Sequence, residues 1–216
     1  MRCALLTADN LRHKYFVNKI SKVSPEIILY EKKPNTFAET KIFDEHLKMP
    51  KQAIAVQNLN KEFTILKCAN LDYIFIFGCR ILSKEIISCA KIDVLNIHTG
   101  LTQFHRGVDA PHWAFVENKP ELVGHTIHSV TPGIDDGKVY AQKVFKNFEK
   151  DDTIDSIFLK NCKNAIDHLS DITFNIISGR NVPQKYNKGK LYQSKDMSDD
   201  LKTQMNQNLS GFLNNL

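Results

Sequence analysis

The chain has 216 residues, of which 42% are hydrophobic and 25% charged, and these proportions are typical of a soluble globular protein. At this length the chain can bury one substantial core, as one domain with an appendage or as two small domains. No 18 apolar residues run together and the N-terminus lacks a signal-peptide pattern. We therefore expect a cytoplasmic chain with no membrane partner.

Charge and cysteine content argue against a nucleic-acid-binding protein, a disulfide framework and a structural zinc site. The 29 basic and 24 acidic residues leave a net charge of +5. Because the lysines are spread along the chain without an aromatic-basic module, an anionic small molecule is favoured over nucleic acid as a partner. The five cysteines form no CxxC pair, which argues against a disulfide framework and a structural zinc site.

The first half of the chain alternates apolar, β-branched segments with helical patterns. The predicted order is strand 2–8, helix 10–22, strand 26–30, helix around 37–47, strand 72–77, helix 83–89 and strand 92–98. This alternation predicts right-handed crossovers and a parallel sheet that is covered on both faces.

The pattern changes after residue 107. A short helix is predicted at 111–118, strands at 122–130 and 138–145, and a long amphipathic helix at 153–177, followed by Gly179. The polar remainder contains a GKLY segment and a terminal helix. We expect an α/β fold: a Rossmann-like, mostly parallel twisted sheet with helices on both faces, made by one domain at 1–180 with a short extension at 181–216.

Two polar side chains end the strand predicted at 92–98. Asn96 and His98 are two residues apart, so both project from the same face of the strand. Ligands of open α/β sheets bind at the carboxyl ends of strands, where an amide donor beside an imidazole can stabilise an oxyanion and move a proton. The alternative is that Asn96 caps a loop and His98 is a satisfied polar residue.

A second pair of polar side chains has the same two-residue spacing. Thr126 and His128 lie on one strand face, and Asp135 follows in a loop whose Pro-Gly and Asp-Gly turns can present a carboxylate. We assign Asp136 to the turn itself, and we expect His125, on the opposite strand face, to be structural or at the surface.

A zinc site is the alternative interpretation of these histidines and aspartates. It is disfavoured because the chain has no HExxH or similar close ligand pair and because Asn96 is a poor zinc ligand. We predict no metal.

Two segments, NIHTGLTQFHRG and VGHTIHSVTPGIDDGKVYAQ, resemble the folate-dependent formyltransferases, which include the glycinamide ribonucleotide, methionyl-tRNA and nucleotide-sugar enzymes. The family signature is Asn-x-His, then Gly-x-Thr/Ser-x-His, then an Asp seven residues later. The matching positions are Asn96, His98, Gly124, Thr126, His128 and Asp135. The resemblance covers roughly residues 1–147.

The resemblance implies formyl transfer from the co-substrate 10-formyltetrahydrofolate to an amine, without a metal. Asn96 and His98 would stabilise the oxyanion, and Asp135 would assist proton transfer. The segment GCRILSKEII resembles the pterin-binding loop of the family. The folate-binding residues implied are Phe77, Arg80, Ile81, Leu82, Val130, Thr131 and Gly133.

The acceptor is predicted from the points at which this sequence departs from the patterns of the family's different enzymes. The segment after the first strand, TADNLRHKYF, lacks the glycines of the glycinamide ribonucleotide phosphate loop, although Arg12, His13 and Lys14 could bind an anion through their side chains. The loop after His98 lacks a proline that is usual in the family and has a glycine, so we expect it to be flexible. About 36 residues follow Arg180, too few for the C-terminal barrel of the tRNA enzymes.

We therefore predict that the acceptor is a nucleotide-linked (dTDP or UDP) amino-deoxy sugar, as in lipopolysaccharide or O-antigen synthesis, because GKLYQSKDM resembles the tail of those enzymes. Arg106, Trp113 and Phe104 are the predicted acceptor contacts, and Tyr192 is a further aromatic that could contact the acceptor. A core role for Trp113 and a loop-bracing role for Arg106 stay open. The alternatives are a glycinamide ribonucleotide or methionyl-tRNA formyltransferase and a non-catalytic folate-binding domain. We allow for a homodimer.

Overall fold

The computed structural model describes residues 1–35 and 37–216. Over these residues the chain forms nine β-strands and six α-helices, joined by loops and single 3₁₀ turns. In chain order they are β1 (Cys3–Ala8), α1 (Leu11–Ile20), β2 (Ile27–Glu31), β3 (Ile54–Val56), α2 (Phe63–Cys68), β4 (Tyr73–Ile76), α3 (Lys84–Ile87), β5 (Asp93–His98), β6 (His105–Gly107), α4 (Ala110–Val116), β7 (Gly124–Ser129), β8 (Val139–Val144), α5 (Ile154–Ile177), β9 (Lys190–Tyr192) and α6 (Asp199–Asn214).

Seven strands form the main sheet in the order β3-β2-β1-β4-β5-β7-β8. The strands from β3 to β5 are mutually parallel, whereas β7 and β8 are antiparallel additions beside β5. Strands β6 and β9 form a separate parallel pair. The predicted mostly parallel α/β sheet is confirmed.

The central strands are buried on both faces, as their continuous apolar sequences predict. Alternate side chains of β1 and β4 enter different cores: Leu5 and Phe75 pack against α1 and α5, whereas Leu6 and Ile74 pack on the side of α2 and α3. This period of two places helices on both faces of the sheet.

The long helix α5 has the start and the end that its sequence predicts. Thr153 and Ser156 form a reciprocal capping box at the N-terminus, each side chain accepting a hydrogen bond from the backbone N–H of the other. Gly179 follows the C-terminus with a φ of +71°, in the left-handed region that glycine adopts without strain.

The helix predicted around 37–47 is wrong. The structure has a single 3₁₀ turn at Glu39–Lys41 in this segment, followed by the unpredicted edge strand β3. The Glu39 side chain is buried in an ion pair with Arg12, and the Asp44 carboxylate accepts the backbone N–H of His46 at 2.9 Å. Local and tertiary bonds of this kind compete with helix formation.

The residues after 180 pack onto the rest of the chain. Strand β9 pairs with β6, and the predicted terminal helix is confirmed as α6, which packs with α4 in a third apolar cluster. The domain boundary at residue 180 stays a prediction. No helix among the described residues is long and apolar enough to cross a membrane.

Candidate active site

A cleft of about 540 Å³ lies at the carboxyl ends of β4 and β5, where ligands of open α/β sheets bind. Its wall has three parts: the loop after β4, the polar ends of β5 and β7 with the loop that follows β7, and a part contributed by β6 and β9. The lining residues are Ile76, Gly78, Cys79, Arg80, Ile81, Leu82, Asn96, Ile97, His98, Gly107, Val108, His128, Val130, Thr131, Gly133, Ile134, Asp135, Tyr192, Gln193 and Ser194.

The three predicted catalytic side chains meet in this cleft around the Asp135 carboxylate. His98 Nδ1 lies 3.3 Å from Asp135 Oδ2, and His128 Nε2 lies 3.3 Å from Asp135 Oδ1. Asn96 Nδ2 is 3.3 Å from His128 Nε2, because the antiparallel register of β5 and β7 places Asn96 opposite His128. A carboxamide, two imidazoles and a carboxylate therefore share one small volume.

Each imidazole is held by a backbone carbonyl on its far side. His98 Nε2 donates to the carbonyl oxygen of His105 at 2.9 Å, and His128 Nδ1 donates to that of Ser129 at 2.8 Å. Because a carbonyl oxygen only accepts, these bonds assign a proton to both nitrogens. The shorter backbone bonds fix the rings, and the other nitrogens, His98 Nδ1 and His128 Nε2, face the Asp135 carboxylate at the longer distance of 3.3 Å.

Asp135 is held ionised in a strained turn. Its φ is +45°, a left-handed conformation that is uncommon for a residue other than glycine, and its Oδ2 accepts the backbone N–H of Gly107 at 2.9 Å. Burial by itself would raise the pKa of this carboxyl. The positive charge of the His98 ring in its protonated form, the contact with His128 and the Gly107 N–H outweigh burial and hold the pKa well below its usual range.

His98 is buried beside this charge. Burial lowers the pKa of its imidazole, and the opposing effect of Asp135 and of the bond to the His105 carbonyl does not restore the pKa to its ordinary value. The ring is therefore neutral near pH 7, with its lone pair on Nδ1, the nitrogen that faces the cleft.

Six of the seven predicted folate contacts line the cleft: Arg80, Ile81, Leu82, Val130, Thr131 and Gly133. Arg80 is anchored by a 2.6 Å ion pair from its Nε to the buried Glu31 carboxylate. Phe77 is the exception, because its ring is buried in the core, 5.3 Å from the ring of His13. The loop begins at Gly78, where φ is +62° and a Cβ would lie 2.2 Å from His13 Nε2.

None of the three predicted acceptor contacts lines the cleft. Trp113 is only 5% exposed and stacks on Tyr192 at a ring distance of 4.0 Å. Arg106 donates to two backbone carbonyls, and Phe104 is exposed outside the cleft. The structure thus gives Trp113 a core role and Arg106 a bracing role, the two alternatives that the sequence left open.

The loop after His98 is held in place, contrary to the expectation of flexibility. Thr126 Oγ1 donates to the carbonyl of Gly100 at 2.7 Å and accepts the backbone N–H of Thr102 at 3.2 Å. A Cβ on Gly100 would lie 2.6 Å from His98 Nε2, so glycine permits the close approach of the loop to the ring. The two hydrogen bonds of Thr126 therefore restrain the loop, which lacks the restraint of a proline.

Other residues noted in the sequence lie outside the cleft. His125 is buried on the opposite face of β7, where it bonds Asn161 at 3.2 Å and His168 at 3.0 Å, which fits its predicted structural role. Asp136 bonds Thr131 within the turn and Lys188 in the C-terminal extension. The described residues include no group of three or more histidine, cysteine or acidic side chains arranged to hold a metal.

Sequence reasoning missed several members of the cleft wall. His128 belongs to the motif but was given no role, and Tyr192 was named only as an aromatic that could contact the acceptor. Gln193 and Ser194 carried no signal, because they come from a distant part of the chain. Cys79 also lines the cleft. Burial raises the pKa of its thiol to about 12, so it is not a nucleophile at neutral pH.

Parts of the sequence match known proteins. A family model described as formyl transferase matches residues 17–168. The bifunctional polymyxin resistance protein ArnA of Wigglesworthia glossinidia brevipalpis is 36% identical over 92 residues, which are 42% of this chain and 14% of that protein. The chain therefore matches only a small part of the length of this relative.

Solved structures share the fold. The N-formyltransferase of Helicobacter canadensis, in complex with folinic acid and dTDP-3-aminofucose, superposes with a TM-score of 0.67 at 19% identity, over 91% of this chain and 72% of that one. The formyltransferase PseJ of Anoxybacillus kamchatkensis, in complex with UDP-4,6-dideoxy-4-formamido-L-AltNAc and tetrahydrofolate, superposes with a TM-score of 0.60 at 21% identity, over 97% of each chain.

Proposed function

The chain belongs to the formyl transferase family, and from that premise we propose that it transfers a formyl group from 10-formyltetrahydrofolate to the amine of a nucleotide-linked (dTDP or UDP) amino-deoxy sugar. The observation that carries the proposal is the meeting of Asn96, His98 and Asp135 in one cleft. An amide donor, a neutral imidazole and a carboxylate are the groups that amine addition to a carbonyl requires.

The donor occupies the side of the cleft formed by the loop after β4 and the loop after β7. Apolar side chains of Ile81, Leu82 and Val130 suit the flat face of a pterin, and backbone groups of the same loops are available to its polar edge. The carboxylates of the folate tail would reach toward Arg80. The formyl group then lies beside Asn96 and His98.

The chemical step starts with attack of the neutral amine on the formyl carbon. A carbon–nitrogen bond forms and the carbonyl electron pair moves onto oxygen, where Asn96 Nδ2 donates a hydrogen bond to the developing charge. His98 Nδ1, which carries a lone pair, accepts the proton that the attacking nitrogen loses.

Asp135 acts through His98 in this scheme. The carboxylate stabilises the imidazolium that forms when Nδ1 takes the proton, since Oδ2 lies 3.3 Å away. Collapse of the tetrahedral intermediate breaks the bond to the folate nitrogen, and the proton on His98 passes to that nitrogen. The products are a formamide and tetrahydrofolate, and His98 returns to its neutral form.

The acceptor occupies the remaining wall, formed by Gly107, Val108 and the segment 192–194. A nucleotide-linked sugar is favoured because two proteins with this fold were crystallised with such ligands. The glycine-free segment after β1 disfavours glycinamide ribonucleotide, whose phosphate needs close backbone approach. The net charge of +5 suits a diphosphate.

The direct test is turnover with purified protein, 10-formyltetrahydrofolate and a panel of dTDP- and UDP-linked amino-deoxy sugars. We expect tetrahydrofolate to form only when an amino sugar is present, and the sugar to gain one formyl group by mass spectrometry. If the protein turns over glycinamide ribonucleotide or methionyl-tRNA but none of the amino sugars, the proposed acceptor is wrong and that molecule takes its place. Reduced-folate binding without turnover on any acceptor would indicate a binding domain.

A further inference from the structure

The short strand β6 supplies both backbone groups that hold the candidate catalytic pair. The His105 carbonyl accepts from His98 Nε2 at 2.9 Å, and the Gly107 N–H donates to Asp135 Oδ2 at 2.9 Å. These two groups lie at the two ends of β6, so this one strand contacts both members of the His98–Asp135 pair.

The partner that positions β6 is β9, which comes from the C-terminal extension. The two strands pair in parallel, with His105 opposite Lys190 and Gly107 opposite Tyr192. The fit is close, because a Cβ on Gly189 would lie 2.4 Å from the backbone of Phe104. Strand β6 is not part of the main sheet. Among the described residues, β9 is the strand that pairs with it.

Two side chains connect the same region to the loop that carries Asp135. Arg106 donates through Nε to the Gly189 carbonyl at 2.9 Å and through Nη1 to the Ile134 carbonyl at 3.2 Å. Lys188 pairs with Asp136 at 2.9 Å. The residues on both sides of Asp135 are thus tied to β6 or to the extension.

Tyr192 anchors the far end of β9. Its ring stacks on Trp113 at 4.0 Å, and its hydroxyl donates to Glu117 Oε1 at 2.7 Å. Trp113 lies on α4 and Glu117 directly follows it, so the extension is fixed to the body of the protein on two sides. Tyr192 also faces the cleft.

We propose that residues 188–192 of the extension are a positioning element of the active site, which sets the geometry of His98 and Asp135 through β6 and Arg106. Arg106 and Tyr192 are positioning residues in this scheme. The inference rests on the proposed function for its kinetic consequence, whereas its structural part concerns the His98–Asp135 pair alone. The competing explanation is that the extension only adds stability.

The test compares two substitutions of the same kind in the extension. Gly189→Ala places a Cβ against the Phe104 backbone and separates β9 from β6 without touching the cleft. Gly211→Ala is the matched control, because Gly211 lies on the exposed side of α6 and its added Cβ meets no described atom within 4 Å. Both proteins are assayed as full chains below their measured melting temperatures.

We expect Gly189→Ala to lower kcat by about tenfold to a hundredfold, the loss typical of a small misplacement of catalytic groups, with little change in the KM for 10-formyltetrahydrofolate. Gly211→Ala should keep the parental kcat. If Gly189→Ala does not fold, Arg106→Gln is used instead, because it removes the guanidinium and with it the Nη1 contact to the Ile134 carbonyl, and leaves the backbone unchanged.

A readout independent of turnover separates this inference from the proposed function. The His98 imidazole is titrated by NMR, since the groups that face it are the Asp135 carboxylate, the His128 ring and the His105 carbonyl. A shifted midpoint in Gly189→Ala or Arg106→Gln, but not in Gly211→Ala, supports positioning even if no acceptor is turned over. A parental midpoint and a parental kcat in folded Gly189→Ala or Arg106→Gln would overturn the inference.

Discussion

At the residue scale, the candidate site is organised around one carboxylate that faces two imidazoles. Asp135 lies 3.3 Å from a nitrogen of His98 and 3.3 Å from a nitrogen of His128, while each ring is fixed on its far side by a backbone carbonyl. This arrangement assigns the protons: the outer nitrogens carry them, and the inner nitrogens face the cleft.

Removal of either proposed catalytic side chain tests the site directly. We expect Asn96→Ala and His98→Ala each to lower kcat/KM by about a hundredfold to a thousandfold, because the first loses the oxyanion donor and the second loses the general base. His46→Ala is the matched control because the His46 side chain is 85% exposed. Thermal unfolding checks that each variant folds, and near-parental rates in both folded site variants would refute the assignment.

The lowered pKa of His98 predicts the acid side of the pH–rate profile. Because burial disfavours the charged ring, the neutral base persists below the ordinary histidine pKa of about 6.5, and Asp135 stays ionised over the same range. We expect kcat/KM to fall only below that pH, as His98 takes a proton.

Asp135→Asn sharpens this pH test. The substitution removes the charge that favours the imidazolium, so kcat should drop and the acid limb should move to still lower pH. The measurement is kcat/KM as a function of pH for both proteins. An acid limb at or above the ordinary histidine pKa in the parent enzyme would contradict the burial argument.

At the element scale, the long helix α5 does more than cover the sheet. Its buried Asn161 donates to the carbonyls of Thr99 at 3.3 Å and Gly124 at 2.7 Å, and it accepts from His125. Thr99 directly follows His98, and Gly124 begins β7. One side chain thus joins α5 to the ends of both strands that carry the site.

We expect Asn161→Ala to lower the free energy of unfolding by about 1 to 3 kcal/mol, because it leaves buried backbone carbonyls without a donor. Asn175→Ala, on the exposed side of the same helix, should change it by less than about 0.5 kcal/mol. Denaturant unfolding of the two variants and the parent measures the difference. Equal stabilities for the two variants would show that the buried bonds contribute nothing.

The elements also show where sequence patterns succeed. Strands β1 and β4 and helix α5 were predictable because burial imposes a continuous apolar run or a helical stripe over many residues. The segment around 37–47 was not, because its conformation depends on Arg12, which draws Glu39 into the interior. Strands β3, β6 and β9 are three residues each, too short for a period to be detected.

At the scale of the whole molecule, the cleft forms only when distant segments come together. Its lining runs from Ile76 to Ser194. Occupation by a folate should therefore couple to global stability, since the unfolded chain has no cleft.

We expect folinic acid, which resembles the donor, to raise the melting temperature in a concentration-dependent way. Ligand at about a hundredfold excess over its Kd corresponds to about 2.7 kcal/mol of added stability. The control compound is p-aminobenzoylglutamate, which lacks the pterin ring and should have a much smaller effect. Thermal unfolding with no shift at any folinic acid concentration would contradict a folate cleft.

The sequence by itself determined the alternation of strands and helices, the α/β class and the motif positions Asn96, His98, His128 and Asp135. These features are local, because side-chain periodicity and turn chemistry are expressed within a few residues. The seven proposed folate contacts came from the resemblance to the formyltransferases and not from these local patterns, and six of them line the cleft.

Only the tertiary structure decided which groups complete the site. It placed Trp113 in the core, made Arg106 a brace between two backbone segments, and brought Tyr192 from the C-terminal extension into the cleft wall. Pairing between β6 and β9 joins residues more than 80 positions apart, and no local pattern encodes such a register. Contacts of this kind depend on the packing of the folded chain, so they became visible only in three dimensions.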